Sequence, residues 1–187
     1  MNDMKVLCIG DSNTYGYDPR SYFGSRYPDN VYWAGRLNSW TVINCGMNGL
    51  SVPTSSRIWQ NLIENRNPDL ITVMIGSNDI LEGRSAEETA NRMERYLQDL
   101  MQYGKTILLI APPTMKPGAG VQRKVQIDES RKLSQLFRNL AARLGTDFAD
   151  AGEWNVELSF DGVHFTESGH RAFAQGLKKH LEEKLYE

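Results

Sequence analysis

The sequence predicts a three-layer α/β/α domain, a doubly wound five-stranded parallel sheet with helices on both faces, and three observations carry that expectation. Short apolar or β-branched runs alternate with helical stretches along the whole chain, the spacing of successive βαβ units. The run Leu70-Ile71-Thr72-Val73-Met74-Ile75 is apolar without alternation, as suits a strand covered on both faces of a parallel sheet. Glycine-containing polar turns follow the strand-like runs directly, and in open α/β sheets that carboxyl edge is where ligands bind. The expected strand order is flavodoxin-like, 2-1-3-4-5. At 187 residues the chain suffices for one domain, residues 1–187, with a substantial core, and shows no internal repeat, low-complexity tract or linker.

Taken in order, Met4-Lys5-Val6-Leu7-Cys8-Ile9 reads as the first strand and runs straight into the turn Gly10-Asp11-Ser12-Asn13. Tyr15 to Asn30, crowded with Tyr, Gly, Pro and Arg, is a long loop. Trp33 to Leu37 reads as a helical segment, and Thr41-Val42-Ile43-Asn44 as the second strand, ending in the glycine turn Asn44-Cys45-Gly46-Met47-Asn48-Gly49. A helix is expected from Pro53, a residue suited to the first turn, to about Asn65, stopped by Pro68. The third strand ends in Gly76-Ser77-Asn78-Asp79. Ser85 and Glu88 form a capping box for a helix to about Tyr103, closed by Gly104. The fourth strand spans Thr106 to Ile110. Ala111 to Gln122 is a Pro- and Gly-rich loop that reads as a lid, a pocket wall or an interface. A helix from about Ile127 to Leu144 stops at Gly145, Thr146 to Ala149 is the fifth strand, and Ala151 to Phe165 is a loop. Thr166 caps the last helix, to about Leu185.

Composition narrows the function. With 21 basic and 23 acidic residues the net charge is −2, which argues against a nucleic-acid binder, whose affinity comes from neutralising phosphates. A small neutral or mildly charged ligand fits better. The opening Met1-Asn2-Asp3-Met4 carries no leader pattern, and no apolar run reaches the roughly 18 residues of a membrane helix, so the reading is a soluble, cytoplasmic protein without membrane partners. Cys8 and Cys45 sit beside apolar strand segments and read as buried thiols, and no metal-ligand spacing or cofactor motif is present.

The turns around Ser12, Gly46, Asn78 and Asp161-Gly162-Val163-His164 all follow strands, so a parallel sheet gathers them along one edge. A serine nucleophile needs a base within hydrogen-bond reach, and the base needs a partner that fixes its tautomer. Of the three histidines, His180 lies among Lys178, Lys179 and Glu182 and reads as part of a solvated face, while His170 in the first turn of the last helix reads as a surface or capping residue. His164 follows Asp161 by three residues in a loop where Gly162 lets the chain fold the carboxylate back toward the ring. An oxyanion formed at Ser12 would need preorganised donors, and the Ser12 turn amide, the Gly46 amide and the Asn78 side chain are candidates at the same edge. Each turn alone is equally an ordinary turn; their convergence favours chemistry.

These ordered blocks, Gly10-Asp11-Ser12, Gly46 within Asn44-Cys45-Gly46, Asn78 within Gly76-Ser77-Asn78-Asp79, and Asp161-Gly162-Val163-His164, resemble those of the SGNH (GDSL-type) hydrolases across nearly the whole chain. The resemblance implies Ser12 as nucleophile, His164 as base oriented by Asp161, and an oxyanion hole from Ser12, Gly46 and Asn78. Asn13 departs from the Leu of the family name, and Thr14 replaces the last glycine of the lipase elbow Gly-x-Ser-x-Gly. Thr14-Tyr15-Gly16 and the aromatic loop look most like the intracellular arylesterase and acyltransferase branch, which implies a small-molecule ester substrate and a homo-oligomer built on loops like Ala111 to Gln122. Tyr15, Tyr17, Tyr22, Phe23 and Tyr27 read as loop anchors or pocket walls, and Arg20 and Arg26 as solvated side chains or a grip on an anionic group. The expectation is a serine esterase for short-chain esters. The rival readings are a flavodoxin-like phosphate or cofactor module using the Ser12 turn, a catalytically silent carbohydrate binder, and a long-chain lipase or thioesterase.

Overall fold

The computed structural model describes residues 4–185; Met1-Asn2-Asp3, on which the reading of a leader rests, lies outside the described residues. Five parallel strands, β1 (Lys5–Gly10), β2 (Thr41–Gly46), β3 (Leu70–Met74), β4 (Thr106–Ala111) and β5 (Asp147–Asp150), form one sheet in the order β2-β1-β3-β4-β5, as expected. Among the described residues six α-helices accompany them: α1 (Ser12–Tyr15), α2 (Gln60–Arg66), α3 (Ser77–Leu81), α4 (Ala86–Met101), α5 (Lys124–Leu144) and α6 (Glu167–Leu185).

Alternate strand residues feed two cores. Leu7, Ile9, Ile71, Val73, Ile107 and Leu109 pack with Ile63 of α2, Met93, Tyr96 and Leu97 of α4, and Leu133 and Phe137 of α5. Val6, Cys8, Leu70, Met74, Leu108 and Ile110 point the other way, onto Phe173, Leu177 and Leu181 of α6 and onto Trp33. Burial on both faces is what made the third strand read as continuously apolar. Both cysteines are buried and free, and burial pushes the Cys8 thiol up to about 12. Among the described residues no helix is long and apolar enough to cross a membrane.

The Ser85 capping box is present with both of its hydrogen bonds, Ser85 to the Glu88 amide and Glu88 back to the Ser85 amide. Several elements differ from expectation, among them the Ser12 turn, which is the short helix α1, and the helix expected from about Ile127, which begins at Lys124. The helix expected from Pro53 begins only at a 3-10 turn, Arg57–Trp59, because the Ser56 amide and hydroxyl both bond Asp99 of α4, at 2.5 and 2.6 Å, and hold the preceding segment out of helical register. The segment expected at Trp33 to Leu37 is a single 3-10 turn, Ala34–Arg36, ended at Leu37, whose amide donates to the Ala34 carbonyl, and the Trp33 amide donates to His170 Nδ1. Asn78 lies in the short helix α3 rather than in an open turn.

His170 is the largest departure. It is fully buried between Tyr27 and Phe165, each ring centroid 5.3 Å away, so the surface reading fails: α6 turns this face inward to cover the sheet. Burial, with the nearby positive charge of Arg36, pushes its pKa down to about 3. An unfolded histidine takes up its proton near 6.5, so between these values the unfolded chain binds more protons and stability rises with pH. The melting temperature of the protein should therefore drop between pH 7 and pH 5 by more than that of His170→Gln, and equal drops would show that His170 does not carry this term.

The close packing of β2 on α1 has its own signature. A Cβ on Gly46 would stand 2.0 Å from the Tyr15 amide nitrogen and 2.5 Å from the Thr14 carbonyl carbon, both backbone atoms that cannot step aside. Gly46→Ala should destabilise by about 1–3 kcal/mol through forced displacement of α1, read by thermal unfolding; an unchanged midpoint would mean that α1 yields freely.

Candidate active site

β1 delivers Ser12 directly. The Asp11 carboxylate caps α1 by accepting from the Asn13 amide at 2.9 Å, and the Asp11 carbonyl takes the Thr14 and Tyr15 amides, so this cap engages the next three amides and not that of Ser12 itself. Gly16 ends the turn in the left-handed region, at φ 91°, and the chain leaves as Tyr17. The nucleophile candidate thus stands on a four-residue helix joined to the end of β1, an inner strand of the sheet.

The register places the other turns beside it. Gly10 pairs with Gly46 on one side and with Met74 on the other, so the ends of β2 and β3 flank the Ser12 turn. Ser12 Oγ lies 3.0 Å from His164 Nε2, and His164 Nδ1 lies 2.6 Å from Asp161 Oδ2. Asp161 Oδ1 accepts from the amides of Val163 and His164 and from the Ser159 hydroxyl. Burial pushes the Asp161 carboxyl up, but the His164 ring and the two amides outweigh it and hold the group well below the usual carboxylate range. Asp161 is therefore ionised and fixed, which keeps the Nδ1 proton on the ring and leaves Nε2 to accept from Ser12.

The sharp Asp161–His164 bend depends on Gly162, at φ 83°, where a Cβ would fall 2.0 Å from the Lys116 carbonyl oxygen. The loop Ala111 to Gln122 is what occupies that space. The Lys116 amide donates to the Gly162 carbonyl, and the Gly120 amide to the Asp161 carbonyl, at 3.0 and 2.9 Å. Part of this loop is therefore a brace for the acidic residue of the site.

The oxyanion candidates are placed unequally. Asn78 Nδ2 donates to the Leu50 carbonyl at 3.0 Å, which spends one of its two hydrogens and aims the amide. The Gly46 amide already donates to Asn44 Oδ1 at 2.8 Å, and Asn44 Nδ2 in turn donates to the Thr14 carbonyl. Glycine at 46 admits the close approach of the α1 backbone.

Several supporting residues carried no chemical signal in the sequence. Asp79 is fully buried, accepts from the Val52 amide at 2.8 Å and from Arg92 at 3.1 Å, and so ties the segment after β2 to α3 and α4. Burial is the main reason that its pKa is raised, with the Val52 amide and the two arginines Arg92 and Arg84 opposing. Asp11 is likewise pushed up by burial, to about 6, against the pull of the Asn13 amide and of His164. Tyr17 covers the His164 ring with centroids 4.5 Å apart. The aromatic loop divides: Tyr27 is buried and anchors, whereas Tyr22 and Phe23 are almost fully exposed. Arg20 pairs with Asp18 and Glu167, and Arg26 lies 5.0 Å over Tyr15 and over Tyr32, so both guanidinium groups have partners within the chain. Among the described residues no cluster of His, Cys, Asp and Glu could hold a metal ion.

Comparison with known proteins fits this geometry. No curated sequence matches the chain. Among solved structures, a carbohydrate acetylesterase family member from Sinorhizobium meliloti superposes with a TM-score of 0.84 at 26% identity, covering 98% of this chain and 100% of that one. The aryl esterase of M. smegmatis gives 0.86 at 22% identity over 96% and 99%. Est24, a carbohydrate acetylesterase from Sinorhizobium meliloti, gives 0.84 at 22% over 97% and 99%. The model of the GDSL-like lipase/acylhydrolase family matches residues 8–172, from within β1 to within α6, a span that holds every residue of the site, and the chain belongs to that family.

Proposed function

We propose that the protein is a serine esterase that cleaves short-chain carboxylic esters of aryl, alkyl or sugar alcohols through an acyl-enzyme on Ser12. The observation that carries this reading is the unbroken hydrogen-bonded line from Ser12 Oγ through the His164 ring to the Asp161 carboxylate. His164 Nε2 takes the hydroxyl proton as Ser12 Oγ attacks the ester carbonyl. The imidazolium so formed is stabilised by ionised Asp161 and returns the proton to the leaving alcohol. Water then repeats the attack on the acyl-Ser12 ester with His164 again as base, which frees the acid and restores the serine.

Negative charge on the former carbonyl oxygen calls for donors already in place. The Ser12 amide and the second Asn78 hydrogen are the two that the surrounding bonds leave for it; the Gly46 amide, bonded to Asn44 Oδ1, joins them only by sharing that hydrogen with the oxyanion. Removing one such donor typically costs about 10²–10³ in kcat. Asn78→Ala should fall in that range with KM little changed, while a large KM effect at intact kcat would make Asn78 a substrate-binding residue instead. Ser12→Ala should abolish hydrolysis, and wild-type turnover in that variant would end the proposal.

The short-acyl preference rests on what surrounds the edge. Tyr15 to Tyr27 and Ala111 to Gln122 supply Gly, Pro, Arg, Lys and Tyr rather than the contiguous aliphatic wall that would reward a long chain at about 0.8 kcal/mol per buried methylene. The solved relatives named as aryl and carbohydrate acetyl esterases support the aryl and sugar alcohols of that range. On a nitrophenyl ester series, kcat/KM should peak at two to four acyl carbons and decline by about tenfold or more at eight, a loss of about 1.4 kcal/mol. A maximum at eight carbons or beyond would indicate a long-chain lipase or thioesterase.

A further inference from the structure

The mechanism makes no use of Asn13, yet this residue is 3% exposed and each of its four polar atoms is engaged. Its amide donates to Asp11 Oδ1 and its carbonyl accepts from the Trp33 indole at 2.8 Å. Its carboxamide reaches across to the far end of the chain: Nδ2 donates to the Val163 carbonyl at 3.1 Å, and Oδ1 accepts from the Phe165 amide at 3.0 Å. Those two partners are the immediate neighbours of His164.

We propose that Asn13 is a positioning residue for the esterase, its carboxamide bracketing His164 on both sides and thereby setting the imidazole at hydrogen-bond distance from the adjacent Ser12. The inference rests on the reading of Ser12 and His164 as nucleophile and base. Nothing in regular secondary structure sets their separation, because His164 lies in the irregular stretch between β5 and α6 and forms no sheet bond to β1. The Asn13 bonds supply what a strand pairing would supply: one donor and one acceptor, matched to a carbonyl and an amide two residues apart. They do so one peptide from the nucleophile. Both bonds are buried, so water cannot stand in for the carboxamide without opening the packing around Phe165, which is fully buried. Leucine at this position, as in the family name, has similar bulk and neither polar atom; here the loop is held by a bond pair that leucine cannot make.

The test is steady-state kinetics of Asn13→Leu and Asn13→Asp beside wild type and Ser12→Ala, with thermal unfolding of each. Asn13 touches neither the acyl group nor the alcohol, so Asn13→Leu should stay folded with KM within about twofold and kcat lowered by about 10- to 100-fold, the scale of a misplaced catalytic group. Asn13→Asp keeps the acceptor for Phe165 and loses the donor to Val163, so its kcat should also fall at unchanged KM. Wild-type kcat in Asn13→Leu, or a loss in which KM rises in step and the melting temperature collapses, overturns the positioning role. If Asn13→Leu does not fold, Asn13→Asp decides: a lower kcat at wild-type KM supports the role, and wild-type kcat overturns it. Ser12→Ala keeps the two levels apart, since activity retained there would refute the nucleophile assignment rather than the bracket.

Discussion

The contact between Ser12 and His164 joins residues 152 positions apart, and most of the fold can be understood as the means of keeping it at 3.0 Å. One end is rigid by construction. β1 is an inner strand of the sheet, paired with β2 and β3 and buried from Val6 to Gly10, and Ser12 follows it after a single residue, so the proposed nucleophile inherits the position of a strand held on both sides. The other end hangs on an irregular loop, and there side-chain bonds replace the missing backbone ladder. Asn13 holds Val163 and Phe165, Asp161 turns back onto its own loop amides, and the segment Lys116 to Gly120 braces the bend from outside.

Electrostatics divides the buried carboxyls of this edge into two kinds. Asp161 is met by two amides, a hydroxyl and the His164 ring, which overcome its burial and keep it charged beside that ring. Asp11 and Asp79 are raised instead, burial being the larger effect for both, and they serve as acceptors for the amides of Asn13 and Val52. The contrast is one of partners: the His164 ring and the loop amides outweigh burial at Asp161, whereas at Asp11 and Asp79 burial is the larger effect.

Strand positions and order were legible because an inner parallel strand must be apolar on both faces, and Leu70 to Met74 could hardly be read otherwise. The meeting of the segments around Ser12, Gly46 and Asn78 was legible for a related reason: chain that leaves the ends of neighbouring parallel strands emerges at one edge. What the sequence hid was long-range polar pairing. Nothing in the local pattern around Ser56 announces Asp99, and nothing around Asn13 announces Val163, because such bonds are decided by how distant segments pack. His170 was misread for the same reason, since its neighbours in sequence are polar while its neighbours in space are Tyr27 and Phe165. Gly46 reads in the sequence as a turn glycine with a candidate amide, and the backbone atoms that exclude a side chain there belong to α1.

The most direct test of the central claim, that Ser12 is a nucleophile activated by His164, is intact-protein mass spectrometry after exposure to a serine-directed phosphonate, followed by peptide mapping. One adduct per chain, located on Ser12 and formed in step with loss of ester hydrolysis, is the expected result. Activity that persists in protein stoichiometrically labelled at Ser12, or an adduct formed elsewhere with Ser12 unmodified while activity is lost, would contradict the account.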